Sequence, residues 1–195
     1  MIQQPPTEPT VSERKGMPAA VQAVIWVLLL GLLALVAFGL KRTQQGTVQI
    51  GDKIPDFTLT FFDGYTYEGK NEVQLSDLQG KIVVINFWSS WCIPCEEEAE
   101  ALESAWNAYK DSGEVVFIGA DYVDTEPEAR KYLEKFNITF PNGPDLGTRI
   151  SQMFRIKGVP ETYFIDKQGI LHFIQIGPFA SEDDIHTILD GMLGQ

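Results

Sequence analysis

"KIVVINFWSSWCIPCEEEAEAL" occupies residues 81–102. Its first eight residues form a largely apolar run rich in β-branched side chains, interrupted only by Lys81 and Asn86. That is the pattern of a strand buried on both faces. From Cys92 onward the period changes. Cys95, Ala99, Leu102, Trp106 and Tyr109 fall within roughly 40° of one line at about 100° per residue, the apolar stripe of an amphipathic helix over about 92–110. The chain's two cysteines, Cys92 and Cys95, stand at the joint between strand and helix.

Three chemistries fit a lone Cys-x-x-Cys pair. Zinc needs four ligands, and the two histidines, His172 and His186, are remote and lack ligand spacing. A structural disulfide closing so short a loop constrains little of the unfolded chain. A redox dithiol fits best. The helix N-terminus stabilises the thiolate of the first cysteine, Pro94 suits a first turn, and strand–CxxC–helix is the setting a dithiol redox motif requires. Cys92 then attacks a substrate disulfide, and Cys95, one turn in and less exposed, resolves the mixed disulfide.

Three glutamates beside the thiols are unexpected, because a thiolate favours positive surroundings. On the helical wheel Glu96 and Glu97 point to water, where first-turn carboxylates favour the helix by roughly 0.3–1 kcal/mol. Glu98 lies about 60° from the buried stripe, at its edge. It is either a solvated flank or a carboxyl held protonated by desolvation and able to shuttle a proton. An acidic neighbourhood makes the dithiol a reductant with a thiol pKa near or above the free value of about 8.5.

Elsewhere, 56–69 alternates and carries Asp63-Gly64, a hairpin signal. Residues 114–122 read as a second buried strand and 125–136 as a helix opened by Thr125. Residues 147–154 read as a short helix, 162–177 as a hairpin, and the last helix starts at Ser181. This order predicts a mixed sheet with helices on both faces. "GVPETYFID" (158–166) sets Val159-Pro160 just ahead of a strand, where a proline cannot donate to the ladder.

The ends divide the chain. Residues 1–20 read as a short disordered tail, 21–40 as a transmembrane anchor, 41–50 as a linker and 51–195 as the folded domain. "VQAVIWVLLLGLLALVAFGL" (21–40) carries no charge and is long enough to span a bilayer as a helix. Arg14 and Lys15 before it balance Lys41 and Arg42 after it, so the positive-inside count sets no orientation. Residues 47–195 hold 11 Lys and Arg against 25 Asp and Glu, a net −14. Such a surface repels phosphate backbones and argues against nucleic acid.

"GDKIPDFTL" (51–59), "NFWSSWCIPCEEE" (86–98) and "GVPETYFID" (158–166) together carry a resemblance. The chain resembles the membrane-anchored thioredoxin-like thiol–disulfide oxidoreductases of the TlpA/ResA type, including those of cytochrome c maturation. The resemblance covers about 50–194 and the anchor. It implies an α/β thioredoxin-like mixed sheet flanked by helices, with an added N-terminal hairpin and an insert near 121–150. It implies Cys92 as nucleophile, Cys95 as resolving thiol, Glu98 as the group that tunes them, and Pro160 as a cis-proline facing them. Trp91, Ile93, Pro94, Val159, Pro160 and Glu161 are assigned to the substrate groove. Asn86 stands where cytoplasmic thioredoxins carry a buried aspartate. Glu100 departs from the pattern, which usually has a helix-kinking proline there. No metal and no cofactor beyond the redox-active Cys92–Cys95 disulfide is expected.

By the same resemblance the domain lies outside the cytoplasmic membrane. There it takes electrons from a membrane thiol donor and passes them to protein disulfides such as those of apocytochrome c. Two alternatives stand. "DFTL" and "LSDLQGKIVVINFW" also look like redoxin-type thiol peroxidases, but the peroxidatic pattern needs proline at 85, where this chain has Ile85, and Ser89 alone is a weak match. A tethered, non-catalytic binding module is the other.

Overall fold

The computed structural model describes residues 18–43 and 48–194. The chain forms two units, 1–45 and 46–195. The first contains helix α1, Ala19–Thr43. Its stretch Ala19–Phe38 is long and apolar enough to cross a membrane. The helix starts two residues before the expected span and continues through 41–43, so part of the anticipated linker is helical. The expected tail, over 1–17, and the linker's residues 44–47 lie outside the described residues.

In the second unit the quoted stretch forms the centre. Strand β3, Ile82–Trp88, is buried at every position. It pairs in parallel with β4, Val115–Asp121, from Ile82↔Val115 to Trp88↔Asp121. On its other side it pairs antiparallel with β6, Glu161–Ile165, from Val83↔Ile165 to Phe87↔Glu161. Strands β5 (Asn142–Pro144) and β7 (Leu171–Ile176) complete the order β5-β4-β3-β6-β7.

Alternation along β3 feeds two cores. Ile82, Val84 and Trp88 face one, with α2 (Ile93–Tyr109), α3 (Glu126–Lys135) and α5 (Glu182–Leu193). Val83, Ile85 and Phe87 face the other, with α4 (Arg149–Phe154) and the segment from Ile54 to Leu78. A strand covered on both sides needs no polar face, which is why its sequence shows none.

The N-terminal hairpin differs from expectation. Strand β1 (Thr58–Thr60) pairs not within 56–69 but with β2 (Glu72–Gln74). The chain leaves the ladder after Thr60 because Phe61 and Phe62 enter opposite cores. Gly64, at φ 91°, then turns the chain inside a longer connection. Thr125 holds the N-cap position of α3 without a side-chain cap bond. Instead its N–H donates to Asp124 at 2.7 Å. Ser181 makes the full capping box with Asp184. Strand β5 has no counterpart in the sequence reading. Its Gly143 lies so close to β1 that a Cβ would stand 2.1 Å from the Thr60 carbonyl oxygen.

Candidate active site

The end of β3 sets the site. After Trp88 the chain turns through 89–91, and Cys92 becomes the N-cap of α2 with Pro94 in the first turn. The Cys95 N–H donates to Cys92 Sγ at 3.1 Å, so the sulfur takes the place of a capping oxygen. Cys92 and Cys95 are joined as a disulfide, with their Cα atoms 5.2 Å apart. Cys92 was expected to be the exposed sulfur, yet in the disulfide both residues are buried, at 3 % and 1 % exposure. The reason lies in the packing, since both join the core cluster that contains Trp88 and Tyr132. The exposed neighbours are Trp91 and Ile93, at 59 % and 72 %, along with Pro94. The Trp91 indole N–H donates to Val123 O at 3.1 Å, and the Tyr132 hydroxyl donates to Cys95 O at 2.7 Å.

Glu98 is not at the edge of the buried face but inside it, 1 % exposed. Two donors from distant parts of the chain draw it in. Asn86 Nδ2, on β3, donates to Oε1 at 2.9 Å, and the Phe179 N–H, in the turn before α5, donates to Oε2 at 3.0 Å. Asn86 also donates to Thr162 Oγ1 on β6 at 2.9 Å. Burial pushes the Glu98 carboxyl up to about 7, while these two hydrogen bonds work against it. A carboxyl in that range populates both forms at neutral pH and can give or take a proton. It lies one turn from Cys95, where i,i+3 side chains are neighbours. Thr162 and Phe179 were not legible as parts of this site.

The other two glutamates differ from each other. Glu96, expected to face water alone, forms a 2.8 Å ion pair with Lys135 of α3, while Glu97 is exposed. Glu100 is also exposed, within a continuous helix.

The Val159-Pro160 bond is cis. Pro160 immediately precedes β6, whose register sets Glu161 against Phe87, so the proline reaches the end of β3 from which the cysteine loop springs. Val159 packs against both cores, the disulfide's among them. Glu161 does not turn toward that face. Its buried carboxylate accepts from the N–H groups of Lys157 and Gly158, at 2.7 and 3.2 Å, and from the Tyr163 hydroxyl at 2.6 Å. It ties down the segment leading into Pro160 from the opposite side of β6.

A five-stranded mixed sheet, a Cys-x-x-Cys disulfide capping a helix, and a cis-proline at the same strand ends define a thioredoxin-fold thiol–disulfide oxidoreductase. The comparisons agree. The AhpC/TSA family matches residues 50–174. The chain is 32% identical over 147 residues to the thiol-disulfide oxidoreductase ResA of Bacillus cereus (strain ZK / E33L), covering 73% of this chain and 80% of the relative. It is also 32% identical over 159 residues to ResA of Geobacillus kaustophilus, covering 80% and 87%. The chain therefore belongs to the AhpC/TSA family and, within it, to the ResA thiol–disulfide oxidoreductases. Among solved structures, a protein assigned as the thiol:disulfide interchange protein DsbE of Chlorobium tepidum aligns with TM-score 0.65 at 25% identity, covering 75% of this chain and 99% of that one. The thioredoxin domain of a Bacteroides vulgatus thiol-disulfide oxidoreductase shares the fold, with TM-score 0.60 at 22% identity over 72% and 97%.

Proposed function

We propose that the chain is a single-pass membrane protein whose domain, outside the cytoplasm, reduces disulfides in other proteins, with apocytochrome c as the substrate class. The observation that carries this reading is the buried Glu98 one turn beyond a Cys-x-x-Cys pair, its carboxyl raised to about 7. In the reduced protein the Cys92 thiolate attacks a substrate disulfide. A mixed disulfide forms and one substrate sulfur leaves as a thiolate. Glu98 takes the Cys95 proton, and the Cys95 sulfur attacks Cys92 Sγ. The second substrate sulfur leaves, and the Cys92–Cys95 bond closes. Two electrons have passed to the substrate, and a membrane dithiol donor restores them. Cys92, Cys95 and Glu98 are the catalytic residues of this scheme. Trp91, Ile93, Pro94, Val159 and Pro160 form the substrate groove, which Glu161 holds from behind. No metal or separate cofactor takes part. The apolar stretch Ala19–Phe38 is the anchor, and the extracytoplasmic side follows from the family resemblance of the sequence motifs.

The test is Cys95→Ser in the native membrane, which leaves the mixed disulfide unresolved. Covalent adducts of Cys92 with Cys-x-x-Cys proteins support the scheme. A protein that traps nothing, while the double cysteine variant retains its effect in cells, would make it a binding module. Protease added to intact spheroplasts reports the side of the membrane. Protection of the domain there would reverse the topology.

A further inference from the structure

The lead-in to Cys92 is bonded, residue by residue, to one short segment. Trp88 O accepts from the Tyr122 N–H at 2.8 Å. The Ser89 hydroxyl donates to Tyr122 O. The Ser90 N–H donates to Asp124 Oδ2 at 2.6 Å, and the Trp91 indole donates to Val123 O. The Cys92 N–H in turn donates to Ser89 O at 3.2 Å. Residues 122–124 thus fix the approach to Cys92. They do so with Val123 at φ 50°, a conformation that strains a β-branched residue.

Beneath this lattice lies Asp121, the last residue of β4, in register with Trp88. Alternation puts it with Val115 and Phe117, on the face that holds the cysteine pair. It is 3 % exposed, and its Oδ1 has no hydrogen-bond partner among the described residues. The exchange scheme above leaves it unused. The charges that act on it are Asp124 on the following loop and Asp145 beyond β5. Asp145 cannot swing away, because its two oxygens accept from the N–H groups of Ile150 and Ser151, each at 2.8 Å. The lead-in carries no charge, and Glu126 at the start of α3 is paired with Arg130 at 2.8 Å. Burial first, and then Asp124 and Asp145, push the Asp121 carboxyl up to about 8. At neutral pH it therefore holds its proton, and that proton lets two carboxyl groups lie together.

We propose that Asp121 is a positioning residue for Cys92: while protonated it keeps Asp124 clamped on Ser90, and when ionised it repels Asp124 and releases the 88–91 lead-in, uncovering the buried disulfide. The consequence for turnover rests on the dithiol-exchange reading. The structural change itself does not, because it occurs in the oxidised protein without substrate.

The test uses the oxidised full chain in lipid nanodiscs, labelled with 15N-tryptophan, with the Trp91 indole signal assigned through Trp91→Phe. Between pH 6 and 9.5 the wild-type signal is expected to move with a midpoint near pH 8, and in Asp121→Asn that midpoint is lost. Asp124→Asn provides a second variant, in which removal of the neighbouring charge lowers the midpoint. The rate of disulfide reduction by a water-soluble phosphine gives a second readout. The ratio of wild type to Asp121→Asn, taken at each pH so that the reagent's own titration cancels, should rise above pH 8. A Trp91 signal that is flat across the range, one that titrates identically in Asp121→Asn, or a ratio that stays constant would each overturn the proposal. Failure of the Cys95→Ser trap, with the Trp91 midpoint intact, would sink the functional reading alone.

Discussion

Glu98→Gln tests the link between the buried carboxyl and the thiols. In the reduced protein the Cys95 thiolate and the Glu98 carboxylate would face each other across one helical turn, about 6 Å apart. At an effective dielectric of about 20 their repulsion is about 3 kcal/mol. That raises the Cys95 pKa by about two units. Glu98 is mostly ionised above about pH 8, where Cys95 titrates, because its own carboxyl sits at about 7. Glutamine removes the charge and keeps the shape. If the Asn86 amide turns over, its oxygen accepts from both the new amide and the Thr162 hydroxyl, and the Phe179 N–H keeps its acceptor. Alkylation of the reduced full chain by iodoacetamide, followed across pH 6–10 and mapped by peptide, reads each thiol separately. Wild-type Cys95 should titrate near or above about 8.5, and Glu98→Gln should lower it by one to two units, or about 1.4–2.7 kcal/mol. Above the thiol pKa the couple also becomes more oxidising, by roughly 30 mV per unit. A Cys95 pKa unchanged in the variant would refute the electrostatic role and reduce Glu98 to a buried staple.

Three further outcomes can be checked by denaturant unfolding. The raised Glu98 pKa means that the folded state disfavours the charged form. Its contribution is therefore fully present below the unfolded value of 4.5 and lost as pH rises toward about 7. Between pH 5 and 8 the wild type should lose about 2–3 kcal/mol more than Glu98→Gln; parallel curves would contradict the burial. Gly143→Ala drives a Cβ to 2.1 Å from the Thr60 carbonyl oxygen and should cost at least about 1–3 kcal/mol as overpacking, whereas an unshifted midpoint would mean β5 does not dock there. Glu161→Ala leaves the Lys157 and Gly158 N–H groups and the Tyr163 hydroxyl without their acceptor. It should destabilise by about 2–4 kcal/mol, and a loss under about 0.5 kcal/mol would show that water replaces the carboxylate.

The sequence is most informative where one local pattern decides the structure. A short apolar run of mostly β-branched residues reads as β3, and a 3.6-residue stripe starting at Cys95 reads as α2. Its power fades where a distant partner decides. At about 60° from the stripe, Glu98 could have faced either way. What buries it is the Phe179 N–H, 81 residues away, together with Asn86. The hairpin was misplaced because Asp63-Gly64 is a true turn signal, while the need to bury Phe61 and Phe62 on opposite faces appears only once both cores exist. Strand β5 was invisible because Asn-Gly-Pro has little strand propensity, and it pairs only because β4 offers an edge. Asp121 was hidden inside a run read simply as buried strand. Its neighbours Asp124 and Asp145 become charges acting on it only through the fold.

The cover over the sulfurs has a consequence for electron traffic. Cys92 and Cys95 are almost fully enclosed, while the residues flanking Cys92, Trp91 and Ile93, are more than half bare. A small soluble thiol finds little purchase on such a site, because it cannot occupy both apolar side chains and reach the bond between them. A protein segment can do both at once. The closed disulfide is thus insulated kinetically from the ambient thiol pool, and its oxidation state follows the order in which macromolecular partners arrive. Two chains of equal reduction potential would then differ in the electrons they hold if one left its sulfurs open, since that couple would equilibrate with its surroundings between visits.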